Sequence, residues 1–107
     1  MQWRVEVLNE TVRAEIAALP ADMQARLVRI SQRIREVGLE YLSEPHVKHL
    51  ENKLWEMRLT GRDGIARALY VIALGRRVII VRVFVKTTQK TPRAEIVLAL
   101  QRAKEIL

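Results

Sequence analysis

"GIARALYVIALGRRVIIVRVFVK", Gly64 to Lys86, decides the fold. Two long apolar runs flank Leu74-Gly75-Arg76, and the charges inside them are Arg67 in the first and Arg82 in the second. Such runs, rich in valine and isoleucine and separated by a glycine turn, read as paired strands. Upstream, "KLWEMRL" alternates apolar and polar residues and reaches Gly64 through "TGRDG". Gly61, Gly64 and Gly75 can all take positive φ, so both connections suit hairpins. Three consecutive strands joined this way make a mainly antiparallel sheet.

Period two sorts the strand residues by face. Glu56 and Arg58 fall on one side of their strand, with Leu54. Arg67 goes with Ile65, Leu69 and Val71. Arg82 goes with Ile80, Phe84 and Lys86, against Ile79, Val81, Val83 and Val85. One face is then almost wholly apolar and is expected to take the helices. The other can gather Arg58, Arg67, Arg82 and Lys86 around Phe84, given a suitable register. A charge in the middle of a strand is costly unless it is solvated or paired. Arg67 therefore has two readings: an ion pair with Glu56 or an arginine on an open face, and a phosphate-binding arginine whose planar fork suits phosphate oxygens. Phe84 likewise either caps the edge of the core or stacks an unpaired base.

Outward from this sheet, "QWRVEVL" alternates and predicts a further strand. Asn9 caps a short helix carrying Val12, Ile16 and Leu19, and Pro20 ends it. Met23, Leu27, Ile30, Ile34 and Val37 then mark a long amphipathic helix that stops at Gly38. Its arginines, at 26, 29, 33 and 35, are most simply a solvated face, and equally suit an acidic partner or ribosomal RNA. "YLSEPHVKHLENK" breaks the period and reads as a loop around Pro45. Thr91-Pro92 supplies a hydroxyl cap and a first-turn proline for a last helix burying Ile96, Leu100, Ala103 and Leu107. The order is β-α-α-β-β-β-α, an α+β fold of one domain over residues 1–107, with its helices packed on one face of the sheet.

The 107 residues hold 19 Lys+Arg against 12 Asp+Glu, a net charge of +7, and no cysteine. The surplus suggests a polyanionic partner, nucleic acid first, and the missing cysteine excludes disulfides and thiol chemistry. The sequence shows no signal peptide and no run of the ~20 apolar residues that a membrane span needs, so a cytoplasmic protein with no membrane association is expected. His46 and His49 lack a third ligand of metal-site spacing, so no metal is expected, and nothing suggests a small-molecule cofactor.

Two stretches resemble the HigB-like branch of the RelE/ParE toxin superfamily. "VKHLENKLWEMRLTGRDGIARALY", Val47 to Tyr70, is similar to that branch's "K-x-L…LWE-x-R…R-x-x-Y". "FVKTTQKTPRAEIVLALQRAKEIL", Phe84 to Leu107, is similar to its "F-x-K-K-T-x-K-T-P…E-I…A" ending. Two departures fall inside the likeness: Arg82-Val83 where the branch tends to show His-Gly, and Lys86-Thr87 where it tends to show two lysines. The resemblance implies a RelE-like fold and a phage-derived toxin of a type II toxin–antitoxin pair. It further implies an mRNA interferase, a metal-independent endoribonuclease that works on the ribosome, inhibits translation and is silenced by a helix-turn-helix antitoxin. RNA would be cut by attack of the 2′-hydroxyl on the adjacent phosphate.

With no histidine in the basic sheet region, the expected catalysis is electrostatic. Arg58 and Arg67 take the phosphate, and Lys86 and Lys90 hold the backbone or supply a base. Phe84, Arg82, Glu56 and Gln89 make up the substrate-binding set. Replacing Arg67 by alanine should then abolish activity and leave the fold intact. Two alternatives remain: a ParE-like poison of DNA gyrase, and a decayed relative that only binds nucleic acid or a partner.

Overall fold

The computed structural model describes residues 2–42, 46–87 and 89–107; the expected loop around Pro45 lies outside them. The elements are β1 (Arg4–Val7), α1 (Glu10–Ala17), α2 (Ala21–Val37), a 3-10 turn (Leu39–Tyr41), β2 (Val47–Glu51), β3 (Leu54–Gly61), β4 (Gly64–Ala73), β5 (Arg77–Lys86) and α3 (Arg93–Ala103). The fold is α+β, and its five strands stand in the order β1-β5-β4-β3-β2. All neighbours are antiparallel except β1, which runs parallel to β5.

One strand was not anticipated. Val47–Glu51, expected to belong to a loop, pairs antiparallel with β3 and forms one edge of the sheet. It is short, carries Lys48 and His49 among three apolar or acidic neighbours, and shifts register between His49 and Glu51. Five residues with an irregular pair do not hold a clear alternation, so period-two reading passes over them.

The helices do not share one face. Met23, Leu27, Ile30 and Ile34 of α2 and Val12 of α1 bury against Met57, Leu59, Ala66, Ala68, Tyr70, Ile80 and Val83. Ala99 and Ala103 of α3 bury on the opposite side, against Leu54, Leu69, Val71, Ile79 and Val81. The sheet is thus covered on both faces, although α3 leaves part of its face open. That explains why β4 and β5 are apolar on both sides, the pattern of a strand in the interior of a layered fold.

A bulge reverses the sorting of β5. Arg82 pairs with Leu69, but the next pair is Ile80 with Tyr70, so Val81 is the extra residue. Past this point the parity changes: Ile79 and Val81 lie with Arg82 on the α3 face, and Ile80 joins Val83 on the other. Strict alternation cannot foresee one inserted residue.

Local signals hold at most element ends. Asn9 accepts the Val12 backbone N–H at 3.1 Å, as an N-cap should. Gly38 closes α2 with φ of 96°, a conformation that favours glycine. Gly61 has a different role from the one expected. Among glycines with positive φ it is absent, and a Cβ there would approach Met23 to 2.8 Å, so its bareness lets α2 sit close on the β3–β4 hairpin. At α3 the cap is Pro92, not Thr91, and the Thr91 hydroxyl is used elsewhere. The helix ends at Ala103, and Leu107 lies beyond it, 54% exposed, outside the core it was expected to join.

Candidate functional site

The register fixes what alternation left open. Arg58 pairs with Arg67, and Arg67 pairs with Phe84, so the three residues form one cross-strand row. The next row on the same face is Glu56, Leu69 and Arg82, extended by Lys48 of β2 opposite Glu56. On the other side Ile65 pairs with Lys86. The open part of the α3 face therefore gathers Lys48, Arg58, Arg67 and Lys86 around a single carboxylate.

That carboxylate, Glu56, is fully buried, and Arg67 is only 2% exposed. Both readings of Arg67 begin from the same fact: it is ion-paired to Glu56 across β3 and β4. Glu56 also faces Arg58, whose Nε lies 3.8 Å from a carboxylate oxygen and whose side chain is 31% exposed. The Thr91 hydroxyl donates a hydrogen bond to the other oxygen of Glu56. This draws Thr91, two residues before α3, down onto the sheet and explains why its hydroxyl does not cap the helix. Glu56 thus aims two arginines and anchors a connection. With its oxygens held in this way it is poorly placed to act as a base.

Arg67 donates from Nη2 to the Gln89 carbonyl at 3.4 Å. Burial pushes its guanidinium below the usual arginine value, yet an arginine stays charged near neutrality. The Nε–H groups of Arg58 and Arg67 are buried without a hydrogen-bond partner among the described residues. A buried, unspent donor is costly; the part of the pair that an anion can reach is the Arg58 side chain, 31% exposed.

Next to Arg67 lies a cleft of about 220 Å³ lined by Lys48, His49, Leu50, Glu56, Arg67, Gln89, Lys90, Thr91 and Ile96. Lys86, paired with Ile65, lies within electrostatic reach of Arg67, Arg58 and Lys48. Desolvation and then the charges of Arg67, Arg58 and Lys48 hold its ammonium below the ordinary lysine value. The last three causes show that the cations sit close enough to act on one another.

Two expectations need revision. Arg82, placed among the substrate-binding residues, is engaged within the protein. It makes a bidentate pair with Glu95 of α3, at 2.7 and 3.0 Å, and reaches Glu15 of α1 at 2.8 Å. The hydrogen bond to Glu95, followed by that to Glu15, raises its pKa. Arg102 joins the same network at Glu15, and Glu15 also accepts the Val83 backbone N–H at 3.0 Å. Beyond the end of β1, this side chain serves the outer edge of β5. Arg82 also sits 5.7 Å from the centre of the Phe84 ring, and Phe84 packs partly against the α3 core.

The second concerns histidine. His49 borders the cleft after all, because the unanticipated β2 brings it there. Its ring, however, stands edge-on to Trp55 at 5.0 Å, and Nε2 lies 2.7 Å from the Asn52 carbonyl. Sequence reading also missed Lys48, for the same reason. The "K-x-L" element of the resemblance, Lys48 to Leu50, was the available signal. Among the described residues no cluster of His, Cys, Asp or Glu could hold a metal ion.

Comparison with known proteins now adds to this geometry. Residues 14–104 match the family described as Phage derived protein Gp49-like (DUF891). A search of curated proteins finds no match. Among solved structures, a mutant of the E. coli toxin RelE in the free state is similar, with a TM-score of 0.62 and 17% identity over 100% of both chains. The archaeal RelE–RelB complex from Pyrococcus horikoshii OT3 provides another, with a TM-score of 0.58 and 20% identity over 81% of this chain and 98% of that one. At these identities the likeness is one of fold. No helix among the described residues is long and apolar enough to cross a membrane.

Proposed function

The chain belongs to the phage-derived Gp49-like family, within the RelE/ParE toxin superfamily, and from that premise we propose that it is a type II toxin that cuts mRNA. The observation that carries this reading is the cross-strand row of Arg58, Arg67 and Phe84, with Arg67 also lining a cleft that Lys48 and Lys90 share. Such a row offers fixed positive charge on a rigid element, which is what a phosphate gathering charge in its transition state requires.

In this mechanism the 2′-oxygen of the message attacks the adjacent phosphorus. The P–O bond to the 5′-oxygen of the next nucleotide breaks, leaving a 2′,3′-cyclic phosphate and a 5′-oxygen that takes a proton from water to become a hydroxyl. Arg58, the more exposed of the pair, contacts the phosphate, and Arg67 behind it adds its field. Glu56 positions both guanidinium groups. Lys86, whose ammonium is held below the ordinary lysine value by desolvation and then by its cationic neighbours, is the group that accepts the proton of the 2′-hydroxyl. Lys90 and Gln89 border the strand on the α3 side. Phe84 offers the edge of its ring to a base. The ribosome supplies the remaining order by presenting the message splayed. The reading also carries the finer HigB-like assignment, a cytoplasmic site of action and a helix-turn-helix antitoxin. Partnership with an antitoxin is supported by the solved RelE–RelB complex of similar fold.

The test is induction of the chain in growing cells, with primer extension on several messages and a gyrase supercoiling assay in parallel. Growth arrest with discrete new 5′ ends is expected. Arg58→Ala, at a position already partly exposed, should remove those ends while the protein still folds. Arrest with intact messages and blocked supercoiling would refute the nuclease reading in favour of a gyrase poison. No arrest at all would indicate a chain that only binds.

A further inference from the structure

The chain has two tryptophans, two tyrosines and one phenylalanine, and both tryptophans line a single pocket with Tyr70. It holds about 280 Å³, and Leu39, Glu40 and Ile72 are among its other walls. Trp3, Trp55 and Tyr70 belong to the core that α1 and α2 cover. Here α2 has ended and given way to the 3-10 turn that carries Leu39 and Glu40. The sheet is therefore incompletely covered, and Ile72 stays 37% exposed.

Two residues further along the chain, Leu74 is 95% exposed. It opens the turn between β4 and β5, in which Gly75 and Arg76 take φ of 85° and 58°. Successive residues of positive φ make a tight reversal, so Leu74 stands on a short turn. A lone exposed apolar side chain is ordinary. This one lies about 7 Å along the strand from the rim of an open apolar pocket.

We propose that this end of the sheet is a self-association surface, in which Leu74 of each copy enters the aromatic pocket of the other across a two-fold axis. A projection and a recess side by side on one surface suit that symmetry, because one rotation seats both leucines at once. The size is adequate, since a cavity of about 150 Å³ already holds benzene. Charge complementarity favours a second copy. With a net charge of +7, most of the surface repels its like. Around this pocket the signs balance. An adjoining cleft shares Trp3 and Glu40 with it, and the charged residues there are Arg35, Glu36, Glu40 and Arg76, two of each sign. A two-fold axis can set the arginines of one copy against the glutamates of the other, whereas a strongly acidic or basic partner finds no excess charge to meet. The inference does not rest on the RNA reading of the cleft, none of whose lining residues borders this pocket.

The experiment follows the full chain by sedimentation equilibrium and by tryptophan fluorescence, from micromolar to near-millimolar concentration. The mass should rise from that of one chain to that of two and level there. Emission should move to shorter wavelength over the same range, because both tryptophans line the pocket that the leucine fills. Leu74→Asp should raise the dimer dissociation constant by about a hundredfold or more, since the symmetry removes two buried leucines together, and should abolish the emission shift. Its melting in dilute solution should match wild type, because Leu74 is 95% exposed. A chain that stays monomeric throughout would overturn the proposal. So would a dimer that survives Leu74→Asp, or one that forms without the emission shift, since either puts the interface elsewhere. A mass that climbs past two chains would replace the closed pair with open head-to-tail association and refute the two-fold arrangement. A monomeric chain whose emission shifts on adding a small apolar alcohol would give the pocket to a small molecule, which also overturns it.

Discussion

Replacing Arg67 by alanine should unfold a large share of the protein's stability, and not merely silence a site. Glu56 is fully buried and Arg67 is 2% exposed, so the variant strands a carboxylate in the interior with Thr91 and a distant Arg58 as its remaining partners. Removing one member of such a pair costs about 3–5 kcal/mol. A domain of this size has about 5–15 kcal/mol in all. At about 2.1 cal/mol/K per residue, 107 residues give an unfolding entropy near 0.22 kcal/mol/K. The melting temperature should therefore drop by about 14–22 °C. Glu56→Met alone should fall by a similar amount, because it leaves a guanidinium charge buried. The double variant Glu56→Met/Arg67→Met removes both charges and keeps similar volume, so it should melt much closer to wild type than either single variant. Thermal unfolding followed by circular dichroism gives all four melting temperatures. Single variants within about 3 °C of wild type, or a double variant that loses the sum of the two, would refute the buried-pair assignment. Burial thus argues against the expectation that alanine here leaves the fold undisturbed. Activity should be probed at Arg58, or with the double variant as the folded control.

Two further outcomes follow from the surroundings of the row. The pKa of Lys86 lies below the lysine value of 10.5, so between its folded and unfolded values the unfolded chain binds more protons, and stability should rise with pH across that interval. Lys86→Met should flatten this rise in melts taken between about pH 7 and 10.5, whereas an unchanged rise would place the effect elsewhere. Glu15→Ala should cost about 1–3 kcal/mol, or about 5–14 °C, since it strands the Val83 N–H and leaves Arg102 without its carboxylate. A loss below about 1 °C would show that the network linking α1, β5 and α3 is incidental.

The amino-acid order by itself determined most of the elements and their kind. Long apolar runs split by glycine turns leave little choice but paired strands, and a 3.6-residue period capped by Gly38 leaves little but a helix. It also identified Arg58, Arg67, Glu56 and Lys86 as unusual, because a charge inside a strand is costly wherever it sits. What it could not determine was anything that depends on a partner distant in sequence. Register put Arg58, Arg67 and Phe84 in one row, and the bulge at Val81 turned half of β5 over. Alternation carries no information about either, since it specifies a side within one strand and not the pairing between strands. Tertiary structure also brought in β2, with Lys48 and His49, and covered the second face with α3. It separated two arginines that look alike in sequence, each a lone charge in an apolar strand. Arg82 found Glu15 and Glu95 on two helices and became part of the frame, while Arg67 found Glu56 on the next strand and came to line a cleft. The difference lies in which carboxylate the fold brings within reach, and only the packed chain decides that.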